Sequence, residues 1–319
     1  MLKIAIVYDV HVDTERGRIG WAYYNRARAL QSYAPDDMHI EIMSTAEFMA
    51  QLDSMHVYDL LYMLDYMCIR SFRMHWDRLG LKTPLVSSYN RDSQTRQRNY
   101  EETVRLADFV VCNNEERWRA GGIDRNTCCI SNGVDADFWT KTVPLSERKR
   151  ILWCGSSNPK KMKRYADIIV PLGDRLESLG YETSFRPIDH IDESVLTPEE
   201  QRDWYNTGLI AVCASSSEGG GPSYMLEGTA CGCVPVTTLA GSIPEWIDDV
   251  GIVVDGSLDS FVNAIQKVER NLATFESANR LFIERQAYGP PGNRASHFYD
   301  LFRRLAAGEI PEPFTYRDQ

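Results

Sequence analysis

The chain has 319 residues, 43% of them hydrophobic and 25% charged, the balance of a globular protein with packed cores. A formal net charge of −10 argues against nucleic acid as the main partner. No apolar run reaches the ~18 residues of a membrane span, and no basic-then-apolar opening marks a signal peptide, so a cytoplasmic chain of about two domains is expected.

The opening "LKIAIVYDV" (Leu2–Val10) reads as a fully buried strand. A loop with Gly17 and Gly20 leads to a helix from Trp21, the start of a βαβ unit. "HIEIMS" reads as a strand, then "STAEFMAQL" as a helix capped by Ser44 or Thr45. "YDLLYML", "TPLVSSYN" and "DFVVCNN" continue the strands, with "QRNYEETVRLA" as a helix between the last two. Such alternation argues for a parallel sheet covered on both faces.

The polar stretch "TKTVPLSERKR" (Thr140–Arg150) reads as a linker, after which the alternation restarts. "ILWCG" is a strand, and "KRYADIIVPLGDRLESLG" is an amphipathic helix that Pro171 breaks or kinks. "YETSFRPI" is a strand. "PEEQRDWYNT" is a helix with Thr197 as cap, Pro198 at its first position and Glu200 closing a capping box. "GLIAVCAS", "VPVTT" and "GIVVD" are strands, and "YMLEGTACG" and "SLDSFVNAIQKVERN" are helices. The last helix, "NRASHFYDLFRRLAAG", is amphipathic. The expected division is therefore residues 1–143, residues 144–290, and a terminal helix segment, 291–319.

Eight cysteines are present, several inside apolar runs, where they read as small buried hydrophobes of a reducing compartment. Neither Cys128-Cys129 nor Cys231-Cys233 has zinc spacing, and no Asp-x-Asp pair sits in a suitable strand-end loop, so no metal and no cofactor is expected.

The stretch that carries chemistry is "SSSEGGGPSYMLEGTACGCVPVTT" (Ser215–Thr238). A strand enters it and a helix leaves it, so the loop lies at a C-terminal sheet edge, where open α/β sheets bind ligands. Gly219, Gly220 and Gly221 let a ligand approach backbone N–H groups. Pro222, Ser223 and Tyr224 open the helix, whose free N–H groups favour an anion such as a phosphate. Glu227, one turn in, is placed to accept two hydroxyls, as from a ribose, and Glu218 to meet a second hydroxyl-rich group or a developing positive charge. Taken alone, Glu218 could equally cap the loop and Glu227 lie on a helix surface. Hydroxyls, phosphate and hydroxyls in one ligand describe a nucleotide-sugar.

Four stretches in this order resemble the GT-B glycosyltransferases of family 4: "ISNGVDADFW" (Ile130–Trp139), "ILWCGSSNPKKMKRYADIIVPL", "LEGTACGCVPV" and "GSIPEWIDDVGIVVD" (Gly241–Asp255). The resemblance is strong over the C-terminal half and weaker before it. It implies two doubly wound, Rossmann-like domains facing across a cleft. It also implies retaining, metal-independent transfer of a sugar from a UDP- or GDP-sugar to a glycan or small hydroxylated acceptor. Carried over, Glu218 touches the donor sugar, Glu227 holds the ribose, Lys161 neutralises the diphosphate with Lys160 as the alternative, and Gly17, Gly20, Gly155 and Ser156 line the donor site. The last helix is expected to return to the first domain.

The chain departs from the family pattern in three places. Eight residues separate Glu218 from Glu227 where seven-residue spacing is usual. Ser156 stands where an arginine is usual, with Lys163, Arg164 or an N-domain arginine as substitutes. Tyr89, Asn90 and Arg91 occupy the place of a histidine, and His11 is a loop histidine that could reach the cleft. The cationic stretches "RARALQSYA" and "RLFIERQAY" leave room for peripheral membrane contact. Two other readings use the same pocket: an epimerase or hydrolase of this fold, and a non-catalytic sugar-nucleotide-binding partner.

Overall fold

A computed structural model describes residues 1–8, 22–64, 69–89, 102–103, 105–121, 126–157, 162–188, 196–218 and 220–316. The described residues form two compact units: one holds those up to Asn132 and those from Arg294 onward, and the other runs Gly133–Asn293.

The first unit is built on a six-stranded parallel sheet: β1 (Leu2–Tyr8), β2 (Met38–Ser44), β3 (Leu60–Met63), β4 (Leu85–Tyr89), β5 (Phe109–Cys112) and β6 (Thr127–Cys129), in the spatial order β2-β1-β3-β4-β5-β6. Its register pairs Ile4 with both Ile40 and Leu60. Strand side chains alternate between two covered faces. Ala5, Val7, Leu61 and Met63 pack with Phe48 of α2 (Thr45–Ala50) and with Phe72 and Trp76 of α3 (Ile69–Leu79). Tyr62, between Leu61 and Met63, meets Phe298 and Phe302 of the terminal helix, Ala295–Ala306, on the opposite face. That helix thus belongs to the first unit, and Tyr299 Oη donates to Leu30 O of α1 (Ala22–Ser32) at 2.7 Å. The cap of α2 is Ser44: its hydroxyl accepts from Glu47 N and the Glu47 carboxylate accepts from Ser44 N, a closed capping box.

The second unit has a five-stranded parallel sheet: β7 (Arg150–Gly155), β8 (Glu182–Pro187), β9 (Gly208–Cys213), β10 (Val234–Thr237) and β11 (Ile252–Val253), ordered β8-β7-β9-β10-β11. The chain leaves β7 for the outer strand β8 and returns to β9 on the other side of β7. Strand order therefore reverses between β7 and β9, which makes their C-terminal ends the binding crevice expected of such a sheet. Ile151, Trp153, Ile210 and Val212 pack with helical residues such as Leu172, Phe261 and Ile265; Leu152, Cys154, Ala211 and Cys213 pack on the other face with Tyr205, Met225 and Phe282.

The stretch read as a linker, Thr140–Arg150, is part of the second unit's fabric. Leu145 is buried in its core, Asn206 binds Thr142 N and Thr140 O, and Lys141 pairs with Glu276. Arg148 donates to Val143 O, Gly208 O and Cys231 O. The chain instead passes between the units at Asn132–Gly133 and at Asn293–Arg294. Of the polar side chains in this stretch only Arg148 is buried, its guanidinium turned onto backbone carbonyls, while Lys141, Ser146, Glu147, Lys149 and Arg150 stay exposed.

Pro171 does change its helix. A π turn, Tyr165–Ile169, leads directly into the helix Val170–Ser178, with Pro171 in the first turn of that helix. A proline has no N–H to give to an i−4 carbonyl, so the regular ladder begins only after it. The seven described cysteines are all buried and unpaired by disulfides. Among the described residues no helix is long and apolar enough to cross a membrane. Ala27, Leu30 and Phe282 of the two cationic stretches are buried within their own units.

Candidate functional site

The loop after β9 and the loop after β7 meet at the point where strand order reverses. Ser216 N donates to Met162 O at 2.9 Å, tying the two loops together. The Glu218 carboxylate then accepts from Lys163 Nζ and, at 2.6 Å, from Ser215 Oγ. Both partners of the ion pair are largely enclosed, with side-chain exposures of 24% for Lys163 and 12% for Glu218. Burial by itself lowers the pKa of the lysine, but the charge and hydrogen bond of Glu218 outweigh it, so the ammonium titrates above its ordinary value.

Lys160 and Lys161 lie outside the described residues, as do Gly17, Gly20, Gly219, His11, Asn90 and Arg91. The cation the structure brings to Glu218 is Lys163, which the sequence offered only as a substitute for the missing arginine. Gly155 lies beside it: a Cβ there would crowd the Trp153 ring at 3.0 Å and stand in ordinary contact with Lys163 Cδ at 3.6 Å. Arg164, the other substitute, is committed elsewhere, donating to Asp167 and, at 3.2 Å, to Gly256 O. Ser156 follows Gly155 directly beyond β7.

The Gly-Ser turn after β10 supports the glycine loop from behind. Ser242 Oγ donates to Gly220 O at 2.8 Å, and Thr238 Oγ1 donates to Ser215 O at 2.5 Å. Gly221 has φ +87 and Gly241 has φ +61. A Cβ on Gly241 would meet Glu218 Cβ at 2.7 Å and Gly221 N at 2.9 Å, so the turn and the loop touch backbone to backbone. Through this contact the "GSIPE" turn braces the "SEGGGP" loop.

The helix that leaves the loop is Ser223–Ala230, with Pro222 as its cap residue and no side chain capping the first-turn N–H groups. No acidic residue stands in that first turn. Its positive end is therefore available to an anion. Tyr224 is a brace: its hydroxyl donates to Val212 O at 2.7 Å, so only its backbone belongs to the loop face. Glu227 is 6% exposed, with Tyr205 Oη donating to its Oε2 at 3.1 Å and Gln201 Nε2 at 3.4 Å. Both donors come from the helix Pro198–Thr207, which carries the expected Thr197–Glu200 capping box. Gln201, Tyr205, Ser215 and Ser242 escaped the sequence reading; the i, i+4 spacing of Gln201 and Tyr205 puts them on one helix face, but nothing local says which way it turns.

The arrangement offers a lysine and an uncapped helix end for a phosphate, and two carboxylates, Glu218 and Glu227, for hydroxyls. Among the described residues no group of three or more His, Cys, Asp or Glu could hold a metal ion.

No known family's sequence profile matches the chain, and no curated protein matches it in sequence. Solved structures do. A sucrose-phosphate synthase of Thermosynechococcus elongatus superposes with a TM-score of 0.68 at 13% identity, covering 97% of this chain and 100% of that one. HepE of Anabaena, solved with UDP and glucose, gives 0.66 at 14% identity over 94% and 100%. An α,α-trehalose 6-phosphate synthase of Burkholderia multivorans gives 0.61 at 12% identity over 97% and 100%. At such identities the likeness is one of fold, and that fold is the one expected: two Rossmann-like α/β domains of the GT-B type.

Proposed function

We propose that this chain is a glycosyltransferase that moves a sugar from a nucleotide-sugar to a hydroxyl of a glycan or small acceptor, with retention and without a metal. The observation that carries the reading is the enclosed Lys163–Glu218 pair, set where strand order reverses and beside the uncapped start of the helix Ser223–Ala230. The similar structures support it: HepE of Anabaena was solved in complex with UDP-glucose, which makes UDP-sugars the first donors to try, with GDP-sugars next. The family-4 motifs support retention, and the cation needed by the leaving group is present as a side chain.

In this reading the diphosphate lies between Lys163 and the first-turn N–H groups, Glu227 accepts the ribose hydroxyls, and Glu218 accepts hydroxyls of the donor sugar. The bond from the sugar's anomeric carbon to the phosphate oxygen breaks, and its electron pair stays on that oxygen. Preorganised N–H donors and the ammonium stabilise the charge that develops there. The acceptor oxygen bonds to the same carbon on the face just vacated, and its proton passes to the departing phosphate oxygen. Lys160 and Lys161 remain candidates for a second phosphate cation, and Gly17 and Gly20 for the facing loop.

The test is a thermal-shift titration with UDP, GDP, ADP, CMP and their common sugars, with and without EDTA, on the wild type, Lys163→Ala and Glu227→Ala. A ligand that binds only the folded state raises the melting point by mass action. One nucleotide should stabilise the wild type regardless of EDTA, and both variants should lose the response. Sugar release without transfer would favour the hydrolase reading. No response to any nucleotide would leave only the fold and favour the non-catalytic partner.

A further inference from the structure

Behind Glu227 stands a pair that the proposed reaction does not use directly. Tyr205 Oη donates to Glu227 Oε2 at 3.1 Å, Gln201 Nε2 reaches the same oxygen at 3.4 Å, and Gln201 Nε2 also donates to Tyr205 Oη at 2.7 Å. The three groups close a triangle on one carboxylate oxygen. Tyr205 is fully buried, its ring edge-on to Trp139 at 5.7 Å, and a Cβ on Gly228 would stand 3.3 Å from its Cδ1. The ring has no room to swing away from the carboxylate. Burial and the neighbouring Glu227 charge raise the Tyr205 hydroxyl well above its usual range, so it stays protonated and donates. Burial and the same carboxylate push the Cys154 thiol up to about 12, which keeps that neighbour neutral.

We propose that Tyr205 and Gln201 are positioning residues that make Glu227 selective for a ribose over a 2-deoxyribose nucleotide. The inference rests on the reading of Glu227 as the ribose-binding carboxylate. A carboxylate grips two neighbouring hydroxyls only if its plane is fixed; one free to rotate satisfies a single hydroxyl nearly as well. Holding Oε2 from behind fixes that plane and keeps Oε1 as an acceptor in a set direction. Buried charge without donors is costly, so the two hydrogen bonds also offset the burial of the Glu227 carboxylate.

The experiment is isothermal titration of UDP, GDP and ADP and of their 2′-deoxy forms into wild type, Tyr205→Phe and Gln201→Met, with the melting point of each protein recorded without ligand. The wild type should prefer the ribonucleotide by roughly ten- to hundredfold, the range for hydrogen bonds to a charged group. Both variants should bring that ratio below about threefold while the deoxy form binds as before, because only the hydroxyl-reading contact is lost. Equal losses for both sugars would overturn the proposal and leave a packing role. A wild type that binds a nucleotide without telling ribose from deoxyribose would overturn the ribose role of Glu227 and this inference together. A wild type that binds no nucleotide at all would overturn the proposed function first. Gln201 is half-buried, so Gln201→Met keeps the test open if Tyr205→Phe fails to fold.

Discussion

Lys163 donates to Glu218 across two loops that are 55 positions apart in the chain, so in the free protein the candidate phosphate cation is already neutralised by the candidate sugar carboxylate. An incoming diphosphate must share or take over that ammonium. Glu218→Gln removes the competitor and one negative charge. UDP should therefore bind about tenfold more tightly to the variant, ~1.4 kcal/mol, while transfer falls about a hundredfold through loss of the sugar contact. Titration calorimetry beside a turnover assay reads both; weaker UDP binding by Glu218→Gln would contradict the competition.

The pH dependence of this pair follows from the raised Lys163 pKa. A cation whose folded pKa lies above its unfolded value contributes stability in full below the unfolded value, here 10.5, and loses it as pH climbs through the folded value. The stability difference between wild type and Lys163→Met should then be flat from pH 6 to 9, as the reference pKa scale implies at roughly that distance from titration, and shrink only in strongly alkaline buffer. Urea melts of both proteins across that range measure it. A difference that fades near neutrality would mean that the lysine is not held charged by Glu218.

Gly241 and Gly180 separate backbone strain from loop support. Both have positive φ, +61 and +86, but a Cβ at Gly180 meets nothing within 4 Å whereas one at Gly241 meets Glu218 and Gly221. Gly180→Ala should cost only the left-handed penalty, about 1 kcal/mol, and leave nucleotide binding unchanged. Gly241→Ala should cost roughly 2 kcal/mol more and weaken nucleotide binding as the glycine loop is pushed aside. Equal behaviour of the two variants in binding would show that the turn does not support the loop.

Arg148 is 4% exposed and donates to three backbone carbonyls and to Asn206 Oδ1. Burial lowers its pKa, yet the fork of N–H groups is what the carbonyls need. Arg148→Lys should lose about 3 kcal/mol of stability, since an ammonium cannot reach that set of acceptors and leaves several unpaired. Chemical denaturation would show it; a loss under about 1 kcal/mol would mean that water replaces the guanidinium.

Much of the architecture is legible from short stretches. "LKIAIVY" is β1 and "GLIAVC" is β9 because continuous apolar runs of that length suit strands buried on both faces. The Thr197 and Ser44 caps were readable because a capping box needs only residues three positions apart. The helix Ile69–Leu79 and the three-residue strand Thr127–Cys129 were not singled out; the strand is too short to show a period, and its pairing with β5 supplies what its sequence lacks.

By itself the sequence determined the alternation of strands and helices, the bare loop between Glu218 and Glu227, and the helix end that follows it, because each depends on residues within a few positions of one another. Only the tertiary structure decided that strand order reverses between β7 and β9, that Lys163 is the described lysine of "KKMKR" reaching Glu218, and that Tyr205 and Gln201 stand behind Glu227. Those choices depend on which faces of separate elements are buried together. That is set by the summed packing of the whole sheet, and no local pattern in the chain encodes it.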